Sequence, residues 1–587
     1  MLLFYDIEVF QHDALVMFKD IDNNIVAKFW SNQNRETHED PSGFEGILDL
    51  IKGNTLVGYN NYHYDDPMLT CMMNTSESVR ETLYATNYFI IKEGKKPHVS
   101  DKIKSLDTMQ QISVAFPSLK LIEGNMGRSI VETSVSFDIN RRLTDAERAE
   151  VEKYCAYDIE STIEVYKLRE KSYFETKRQL VDMLPEDVQD KAMRWNTTTI
   201  SANILTKGQK VKQWEDHKVP AEYWEKIPGI PDDVWEMWKT ALDDENLTKK
   251  GFSKRIEAFG CEVVFGLGGL HGAPKKPCRY GRVLHADVGS MYPSIICKLN
   301  ALDDATEIYD GIRKDRLKIK KTDKVKADAL KLILNSVYGN FKNKYSTLYN
   351  PRASITVCIY GQIALFRLCE ELYAAGYKII NINTDGVVFA EDPQLGDTYQ
   401  QICDKWNQEF DPLNLEIDPY DKWVQKDVNN YVAVRGNEIE VKGGEVNKYH
   451  KNSFFANNNC RIVQIAIVEK LVNNTDPINT LIDNLDKPLL WQYVLRAGGT
   501  FAGVCDQNHH MMQKVNRVFA CNENVEYTKL YKTRTGEDLI NFPDAPERMY
   551  LFNGDLEDLK DTFKDIVDFD HYKTIIDKKL RGWGVCT

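Results

Sequence analysis

The chain of 587 residues lacks several features that would place a protein in a class at once. Its twelve cysteines never form a C-x-x-C pair, which argues against structural zinc and iron–sulfur sites and predicts the reduced thiols of a cytoplasmic protein. No run approaches about 18 apolar residues, so we expect no membrane span. The N-terminal MLLFYDIEVF has no basic region and reaches an acid at Asp6, unlike a signal peptide.

Positive charge is also in short supply, because the net charge is −13. An acidic average argues against nucleic acid as a partner, but a local basic groove is sufficient for DNA binding. Residues 313–326, RKDRLKIKKTDKVK, hold eight Lys or Arg in fourteen positions. Taken alone, such a run is more often a solvated helix face than a binding surface. The length favours about three to five packed domains, and no repeats are visible.

A first group of acidic residues lies near the N-terminus. LLFYDIEVF predicts a buried strand, and Asp6 and Glu8 are two residues apart and therefore on one side of it. Two carboxylates on one side of a buried strand repel each other and require a cation. A second strand, TLVGYN, leads to Asn61 and Asp65 at a predicted junction between strand and helix.

A helix is predicted from Thr144 onwards. Thr144 and Glu147 have the T-x-x-E spacing of a capping box, and apolar periodicity continues to about Leu168. Tyr154 and Asp158 are four residues apart and so lie one above the other on this helix. In these positions Asp158 can bind a metal ion while Tyr154 positions a water molecule or a phosphate oxygen.

A second group of acidic residues lies in the middle of the chain. RVLHADVGSMYPSII predicts a strand that ends in a turn at Gly289 and continues toward Pro293, with Asp287 at the strand end. The apolar runs on either side of NTDG predict a β-hairpin with Asp385 at its tip. A hairpin tip beside a strand end brings Asp287 and Asp385 together, which suits two magnesium ions.

Two helices are predicted between these carboxylates. In TDKVKADALKLILNSVYGNF, Thr322 or Asp323 can cap a helix, and one face of that helix carries Lys331, Asn335, Tyr338 and Gly339. The basic run before it places Arg313, Arg316 and Lys320 on one face of a preceding helix. A short turn at 321–323 pairs the two helices antiparallel, so that their basic stripes converge on a polyphosphate.

The N-terminal motifs D-x-E, N-x-x-Y-D and Y-x-x-x-D, in this order, resemble the three exonuclease motifs of family B DNA polymerases. The resemblance implies a ribonuclease H-like proofreading domain over residues 1–175, in which two metal ions about 3.5–4 Å apart hydrolyse a phosphodiester. It implies metal binding by Asp6, Glu8, Asp65 and Asp158, an attacking water oriented by Tyr154, and contacts to the single-stranded 3′ end from Asn61, Tyr64 and Lys120.

Four further segments resemble the polymerase motifs of the same family. DVGSMYP is similar to D-x-x-S-L-Y-P, KLILNSVYG matches K-x-x-x-N-S-x-Y-G, NTDG resembles D-T-D-S, and FGLGGLHG resembles the Y-x-G-G element between the two domains. The resemblance spans roughly residues 1–450 and implies an α/β and α+β multidomain protein with a right-hand polymerase. Its domains would be a helical connection at 176–260, palm at 261–305 and 346–450, fingers at 306–345, and a thumb with the C-terminal region at 451–587.

The resemblance also implies residue roles. Asp287 and Asp385 would bind the two catalytic Mg²⁺ ions, with Mn²⁺ as an alternative and the Val288 carbonyl assisting, and backbone amides at 289–291 would hold the triphosphate. Tyr292 would exclude a ribose 2′-OH. Other nucleotide-binding residues would be Ser290, Met291, Arg316, Lys320, Lys331, Asn335 and Tyr338. DNA-binding residues would include Gly268, Gly269, Tyr431 and Lys442.

The sequence departs from the family pattern in three places. Asn383 stands where the D-T-D-S motif has its first Asp, and Gly386 stands where that motif has Ser. The family has a later K-x-Y element, of which Tyr431 supplies the Tyr, but Asn429 stands in place of the Lys. Lys426 or Lys442 would supply the missing cation. The intervals between the motifs lack the long insertions of the protein-primed branch, which implies short fingers and leaves no obvious place for a priming protein. The compact length resembles that of phage or mobile-element polymerases.

The motifs together predict a DNA polymerase with 3′–5′ proofreading. Its partners would be primed DNA, dNTPs and replication accessory proteins. It would be a monomer in the cytoplasm, or in the host cytoplasm if a phage encodes it. A second hypothesis is an exonuclease whose degenerate polymerase half only binds DNA, which Asn383 supports. A third is a replication scaffold without activity, which two sets of metal-binding carboxylates argue against.

Overall fold

The computed structural model describes residues 1–31, 44, 46–73, 79–112, 116–216, 218–225, 229–243, 253–450, 454–455 and 457–585. It is a mixed α/β protein of two compact units. Unit 1 comprises Met1–Asn196, Asn452–Cys460 and Asn484–Asp568, and unit 2 comprises Thr197–Lys451, Arg461–Asp483 and Phe569–Thr587.

A five-stranded sheet organises the N-terminal part of unit 1. Its strands are β1 (Leu2–Val9), β2 (Ala14–Lys19), β3 (Ile25–Trp30), β4 (Thr55–Gly58) and β5 (Ser105–Asp107), in the order β3-β2-β1-β4-β5. β1 is antiparallel to β2 and parallel to β4. Alternate residues of β1 enter two separate hydrophobic clusters, so the sheet is covered on both faces.

Helices cover this sheet. They are α1 (Ile47–Ile51), α2 (Asp65–Met72), α3 (Val79–Ile91), α4 (Leu119–Met126), α5 (Asp145–Arg169), α6 (Thr176–Val181) and α7 (Glu186–Ala192), with a π-helical turn at Glu170–Glu175. The expected capping box is present, because the Thr144 side chain accepts from the Glu147 amide and Glu147 accepts from the Thr144 amide. Val151, Cys155 and Ile159 of α5 pack in the same cluster as Phe4 of β1.

Unit 2 is built on a seven-stranded sheet and a four-stranded sheet. The strands are β6 (Ser253–Ala258), β7 (Cys261–Gly266), β8 (Gly269–Ala273), β9 (Cys278–Tyr280), β10 (Val283–Val288), β11 (Ile379–Asn383), β12 (Gly386–Ala390), β13 (Leu415–Tyr420), β14 (Lys422–Asp427), β15 (Asn430–Arg435) and β16 (Glu438–Lys442). The larger sheet has the order β13-β10-β12-β11-β8-β7-β6, and the smaller has the order β16-β15-β14-β9. The predicted β11–β12 hairpin is therefore present.

The helices of this part are α8 (Thr197–Thr206), α9 (Ala221–Glu225), α10 (Asp232–Asp243), α11 (Met291–Lys298), α12 (Ala305–Ile319), α13 (Lys324–Asn340), α14 (Pro351–Ala374) and α15 (Thr398–Glu409). Of the two expected caps for α13, the structure uses Asp323, whose side chain accepts from the Lys326 amide. As expected, β10 ends at Val288 and a turn follows at Gly289, after which α11 begins at Met291. By length and composition α14 could cross a membrane, but 89% of its apolar window is buried in the fold.

The C-terminal elements are divided between the two units. They are α16 (Arg461–Asn473), α17 (Pro477–Ile482), β17 (Tyr493–Arg496), β18 (Gly503–Asp506), β19 (Val515–Ala520), β20 (Leu530–Thr533), β21 (Ile540–Asn541), β22 (Met549–Leu551), α18 (Phe563–Ile566) and α19 (Phe569–Gly582), with 3₁₀ turns at Pro488–Leu490 and Leu556–Leu559. The strands form sheets of order β17-β19-β22 and β18-β20-β21.

Arg517 ties residues 484–568 to the N-terminal part of unit 1. Its side chain is fully buried, and its guanidinium donates to Gln492 Oε1 (2.8 Å) and to the carbonyls of Gly554 (2.7 Å), Gly124 (3.1 Å) and Arg128 (2.7 Å). The last two carbonyls lie at and just beyond the end of α4. Most of the region that the resemblance assigns to a thumb therefore packs with the N-terminal residues, and its role in gripping DNA stays a prediction.

Candidate active sites

The N-terminal carboxylates meet where β1 packs against α5. Asp6 and Glu8 lie on the β1 face opposite to that of Leu3, Tyr5 and Ile7, as the two-residue period of a strand requires. Asp6, Glu8 and the Cys155 thiol each place one potential ligand atom within 4.8 Å of the others. Burial raises the pKa of Cys155 well above its usual range, so the thiol is a neutral neighbour.

The pKa values in this cluster show that the negative charges are crowded. Burial, followed by the nearby Asp158 carboxylate, raises the pKa of Asp6 to about 7. Burial and then Asp6 raise the pKa of Glu8 and of Asp65 well above their usual range. Carboxylates that hold their protons near neutral pH are poorly compensated by the protein alone, and a divalent cation is the ordinary remedy.

Asp65 and its neighbour Asp66 have different surroundings. Asp66 is fully buried and accepts from the Tyr5 hydroxyl, Asn61 Nδ2, the Ser105 hydroxyl and an Arg194 guanidinium nitrogen. The Asp65 Oδ1 atom is buried and has no hydrogen-bond partner among the described residues. An orphaned carboxylate oxygen beside Asp6 and Glu8 fits a metal ligand, whereas Asp66 is structural. The sequence YDDP alone does not distinguish the two.

Lys120 belongs to the same cluster. Its ammonium donates to the Asp158 carboxylate, lies 3.3 Å from Glu123 Oε1 and is 4.6 Å from the centre of the Tyr154 ring. The residue is 8% exposed. Burial opposes the charge of Lys120, but Asp158 and Glu123 outweigh it and hold the Lys120 pKa above its usual value. The Lys120 ammonium therefore contacts both members of the predicted i, i+4 pair, Tyr154 and Asp158.

Asn61 and Tyr64 offer little surface to a DNA end in this structure. Asn61 is fully buried, with its Nδ2 donating to Asp66 Oδ1 at 3.1 Å. The Tyr64 hydroxyl donates to Asn87 Oδ1 at 2.8 Å. Their contact with a primer end, and a substrate contact from Lys120, therefore stay predictions.

The second pair of carboxylates is brought together in unit 2 by one strand and one hairpin. Asp287 lies opposite Gly386 in the antiparallel pairing of β10 with β12. The Val288 amide donates to the Asp385 carbonyl at 2.8 Å, which joins the strand end directly to the hairpin tip. Burial raises the pKa of Asp287 and of Asp385, and Asp287 itself contributes to the rise at Asp385.

Two residues beside Asp287 did not emerge from the sequence. Glu416 lies directly opposite Asp287 in the pairing of β10 with β13 and raises the Asp287 pKa after burial. His285 precedes Asp287 by two residues on the same strand face, with its Nε2 atom 4.0 Å from Asp287 Oδ1. The strand period alone would have found His285, whereas Glu416 required knowledge of a long-range strand pairing.

His285 explains why residue 386 is glycine. A Cβ atom at Gly386 would lie 2.4 Å from His285 Nε2 and 3.2 Å from Asp287 Oδ1. The first distance is a clash that no side chain tolerates without movement of the imidazole. Gly386, which stands where the family motif has Ser, therefore faces His285 of the adjacent strand β10.

The Asn383 amide is bonded to its neighbours at the hairpin. Its Nδ2 donates to the Val428 carbonyl at 3.4 Å, and its Oδ1 accepts from the Thr384 hydroxyl at 3.3 Å. Thr384 has φ of 56° at the hairpin tip, and its backbone packs against Gly269, whose φ of 124° favours glycine. Gly269 of the predicted linking element thus buttresses the tip that carries Asp385.

Three of the predicted nucleotide-binding residues, Ser290, Met291 and Tyr292, lie at the start of α11, and a fourth, Tyr338, contacts Tyr292. Ser290 has φ of 56° and begins the helix without a side-chain cap. The Gly289 amide already donates to the Asn414 carbonyl at 3.0 Å, so only the following amides remain for a triphosphate. The Tyr292 and Tyr338 rings lie 4.6 Å apart, and the Tyr338 hydroxyl donates to the Leu267 carbonyl at 3.2 Å.

The predicted basic stripes are only partly available. Lys331, Asn335 and Gly339 are exposed on α13, and Lys320 is exposed at the end of α12. Arg316 is half-buried, and its Nε has no hydrogen-bond partner within the described chain. Arg313 is paired with Asp310 at 2.7 Å, so the charge of this residue is compensated.

Lys442 is the cation near the unit 2 carboxylates. It lies opposite Tyr431 in the pairing of β15 with β16, and its Nζ is 5.9 Å from the Tyr431 ring centre. Its charge opposes the rise of pKa at both Asp287 and Asp385. Lys426, the other candidate, is paired with Glu445 at 2.7 Å.

Comparison with known proteins gives no family. No protein-family model matches the chain, and neither does any curated protein. Among solved structures, the chain is similar to that of the family B DNA polymerase from the hyperthermophilic archaeon Pyrobaculum calidifontis, with 14% identity and a TM-score of 0.42 over 99% of this chain and 77% of that chain. A TM-score of this size carries no argument for fold or function. A functional proposal therefore depends on the residues of the two candidate sites.

Proposed function

We propose that the chain is a template-directed DNA polymerase of the family B type with a 3′–5′ proofreading exonuclease. The observation that carries the proposal is the hydrogen bond from the Val288 amide to the Asp385 carbonyl. It holds a strand-end carboxylate and a hairpin-tip carboxylate side by side, in the same unit as the exposed Lys331 face of α13. The D-x-x-S-L-Y-P and D-T-D-S motifs of the family are far apart in sequence, and they require their carboxylates to lie side by side in this way.

In the polymerase reaction, Asp287 and Asp385 would hold Mg²⁺ or Mn²⁺, assisted by the Val288 carbonyl. When bound, the metal ions activate the primer 3′-OH and stabilise charge on the transferred phosphorus. Lys331, Arg316 and Lys320 bind the triphosphate, and Asn335 and Tyr338 line the nascent base pair. Tyr292, whose ring packs at a tilt against Tyr338, leaves room for a deoxyribose but not for an added 2′-OH. Lys442, Tyr431 and Gly268 face the primer strand.

In the exonuclease reaction, Asp6, Glu8, Asp65 and Asp158 would hold the metal ions. The buried Asp65 Oδ1 atom, which has no hydrogen-bond partner among the described residues, supplies a ready acceptor. Lys120 keeps Asp158 charged and in place, and Tyr154 orients the attacking water. Single-stranded DNA with a free 3′ end is the substrate. A monomeric, compact phage-type enzyme in the cytoplasm, with palm, fingers and thumb divided as the motifs suggest, belongs to the same proposal.

Reciprocal variants test the two sites separately. Asp287→Ala is expected to lower primer extension by about 10²–10³-fold or more while 3′-end degradation continues, because one metal ligand contributes several kcal/mol to the transition state. Asp65→Ala is expected to do the reverse. Both activities are measured with Mg²⁺ on one 5′-labelled primer–template, with and without dNTPs.

Two surface carboxylates serve as matched controls. Asp233→Ala removes an exposed acid that is paired with Lys254 in unit 2, and Asp190→Ala removes an exposed acid paired with Lys104 in unit 1. Both are expected to leave the two activities within about twofold. Normal extension by Asp287→Ala would show that the polymerase centre is assigned to the wrong residues.

A second candidate function is an exonuclease whose unit 2 only binds DNA. The observation in its favour is the Asn383 amide, which is neutral where the family motif has a carboxylate and is bonded to Val428 and Thr384. Incorporation of labelled dNTPs by the purified protein, lost in Asp385→Ala, eliminates this candidate.

A further inference from the structure

Tyr345 is an aromatic side chain that the fold leaves in solvent. It is 84% exposed, more than any other large apolar residue that the structure describes. It lies in the loop 341–350 between α13 and α14. A single exposed tyrosine is ordinary, so its meaning depends on how the loop is held and on what surrounds the ring.

The loop presents the ring from a well-bonded backbone. The Tyr345 amide donates to Asn343 Oδ1 at 3.1 Å, and the Ser346 amide donates to the Asn343 carbonyl at 2.8 Å. The Asn350 amide closes the loop by donating to the Phe341 carbonyl at 3.0 Å. A ring on a pre-formed loop loses little conformational entropy when a flat partner stacks on it.

Lysines accompany the aromatic rings of this segment. The Lys344 Nζ lies 4.9 Å from the Tyr345 ring centre, and the Lys342 Nζ lies 4.8 Å from that of Tyr338. Residues 329–369 contain five Lys or Arg and no Asp or Glu. An exposed aromatic ring accompanied by lysines matches the way in which proteins hold single strands, by stacking on bases and neutralising phosphates.

The ring is also connected to the candidate nucleotide site. Lys342 stands over Tyr338, and Tyr338 lies against Tyr292 at 4.6 Å. We propose that Tyr345, Lys342 and Lys344 bind single-stranded nucleic acid, with one base stacked on Tyr345 and adjacent phosphates on the lysines. Placing the unpaired template strand on this surface rests on the proposed polymerase function, whereas single-strand binding itself does not.

The experiment measures binding of the full chain, in EDTA, to a fluorescein-labelled twelve-nucleotide single strand. Tyr345→Ala is expected to weaken binding by about 5- to 100-fold, the range for loss of one stacked base, and Tyr345→Phe by less than about twofold. Tyr373→Ala is the matched control, because Tyr373 is 51% exposed in the same unit but on α14. Lys344→Gln is expected to lower the slope of log affinity against log salt by about 0.7.

A second readout locates the contact. With 2-aminopurine at the first unpaired template position of a primer–template, the wild-type chain and Tyr345→Phe are expected to quench its fluorescence by stacking, and Tyr345→Ala to quench less. Because the ring is exposed, thermal unfolding of Tyr345→Ala should match wild type.

The outcomes separate this inference from the proposed function. Equal single-strand affinity for wild type and Tyr345→Ala, in a chain that extends primers, overturns the inference alone. Weaker binding by Tyr345→Ala in a chain that incorporates no dNTP supports single-strand binding and rejects the polymerase. Weaker binding together with unchanged 2-aminopurine quenching rejects the placement on the template.

Discussion

The two carboxylate sites differ in how their charge is balanced. In unit 1 Asp6 is half-buried and the other acids are buried, and the protein supplies its own cation, Lys120, to Asp158 and Glu123. In unit 2 the Asp287 side chain is 40% exposed, Asp385 is exposed, and the nearby Lys442 is exposed as well. Water screens the second site, whereas the first depends on groups inside the fold. We therefore expect changes at the unit 1 site to alter the free energy of unfolding, and changes at the unit 2 site to alter mainly ligand binding.

Removing the cation from each site should give the largest contrast. Lys120→Met leaves buried Asp158 and Glu123 without their partner and is expected to lower the free energy of unfolding by about 3 kcal/mol in EDTA. Mg²⁺ should restore part of this loss, because a bound metal replaces the missing charge. Urea unfolding with EDTA and with Mg²⁺ measures both effects.

Lys442→Met is the control for this contrast. Its ammonium is exposed, so we expect its loss to change the free energy of unfolding by less than about 1 kcal/mol. Equal destabilisation by the two variants would mean that the difference in burial between the sites has no energetic consequence.

A change of pH should separate the sites next. The pKa of Asp6 is about 7 in the folded protein, whereas an Asp in an unfolded chain titrates near 4. The folded state therefore binds more protons between these values, and its stability falls as the pH rises through them. We expect amide protection in β1 to decrease about tenfold or more between pH 5 and pH 8 in EDTA, after correction for intrinsic exchange, and to recover with Mg²⁺.

Hydrogen exchange read by mass spectrometry provides the internal reference. Peptides of β10 carry Asp287, whose pKa is also raised but whose carboxylate is partly in water. They should show a smaller decrease over the same range. If the protection of the β1 amides in EDTA did not depend on pH, the carboxylates of this strand would not be crowded in the absence of metal.

The last contrast concerns the contact between Gly386 and His285, which belongs to unit 2 alone. Gly386→Ser places a Cβ atom against His285 and is expected to cost about 1–3 kcal/mol, together with a loss of primer extension. His285→Ala opens that space, so the double variant should recover most of both. A double variant no better than Gly386→Ser would show that the histidine is not what keeps residue 386 a glycine. Thermal unfolding and extension assays complete this cycle.

Local patterns predicted much of both sites. The β11–β12 hairpin, the capping box at Thr144 and the Asp323 cap are confirmed, because each depends on neighbours within a few residues. The same holds for the shared strand face of Asp6 and Glu8. These are features in which hydrogen bonding and side-chain direction follow directly from spacing.

Features that depend on distant pairing were not predicted. Glu416 reaches Asp287 through the register of β10 with β13, and no motif marks it. Asp65 was preferred to Asp66 only through the N-x-x-Y-D resemblance, because the groups that surround each carboxylate come from distant parts of the chain. The Gly289 turn leads into a helix because Ser290 adopts a left-handed conformation, to which serine has no strong preference.

Arg517 imposes an order of events on a newly made chain. Its guanidinium satisfies carbonyls at the end of α4, including that of Arg128, which the ribosome completes 389 residues earlier. At about 5–20 residues per second, that delay is roughly 20–80 s. Throughout it, the helix that carries Lys120 lacks the partner that secures its end, and the hydrophobic surface intended for residues 484–568 stays uncovered. The part of the chain translated first is therefore among the last to be finished, and it is the part for which we expect chaperones to compete.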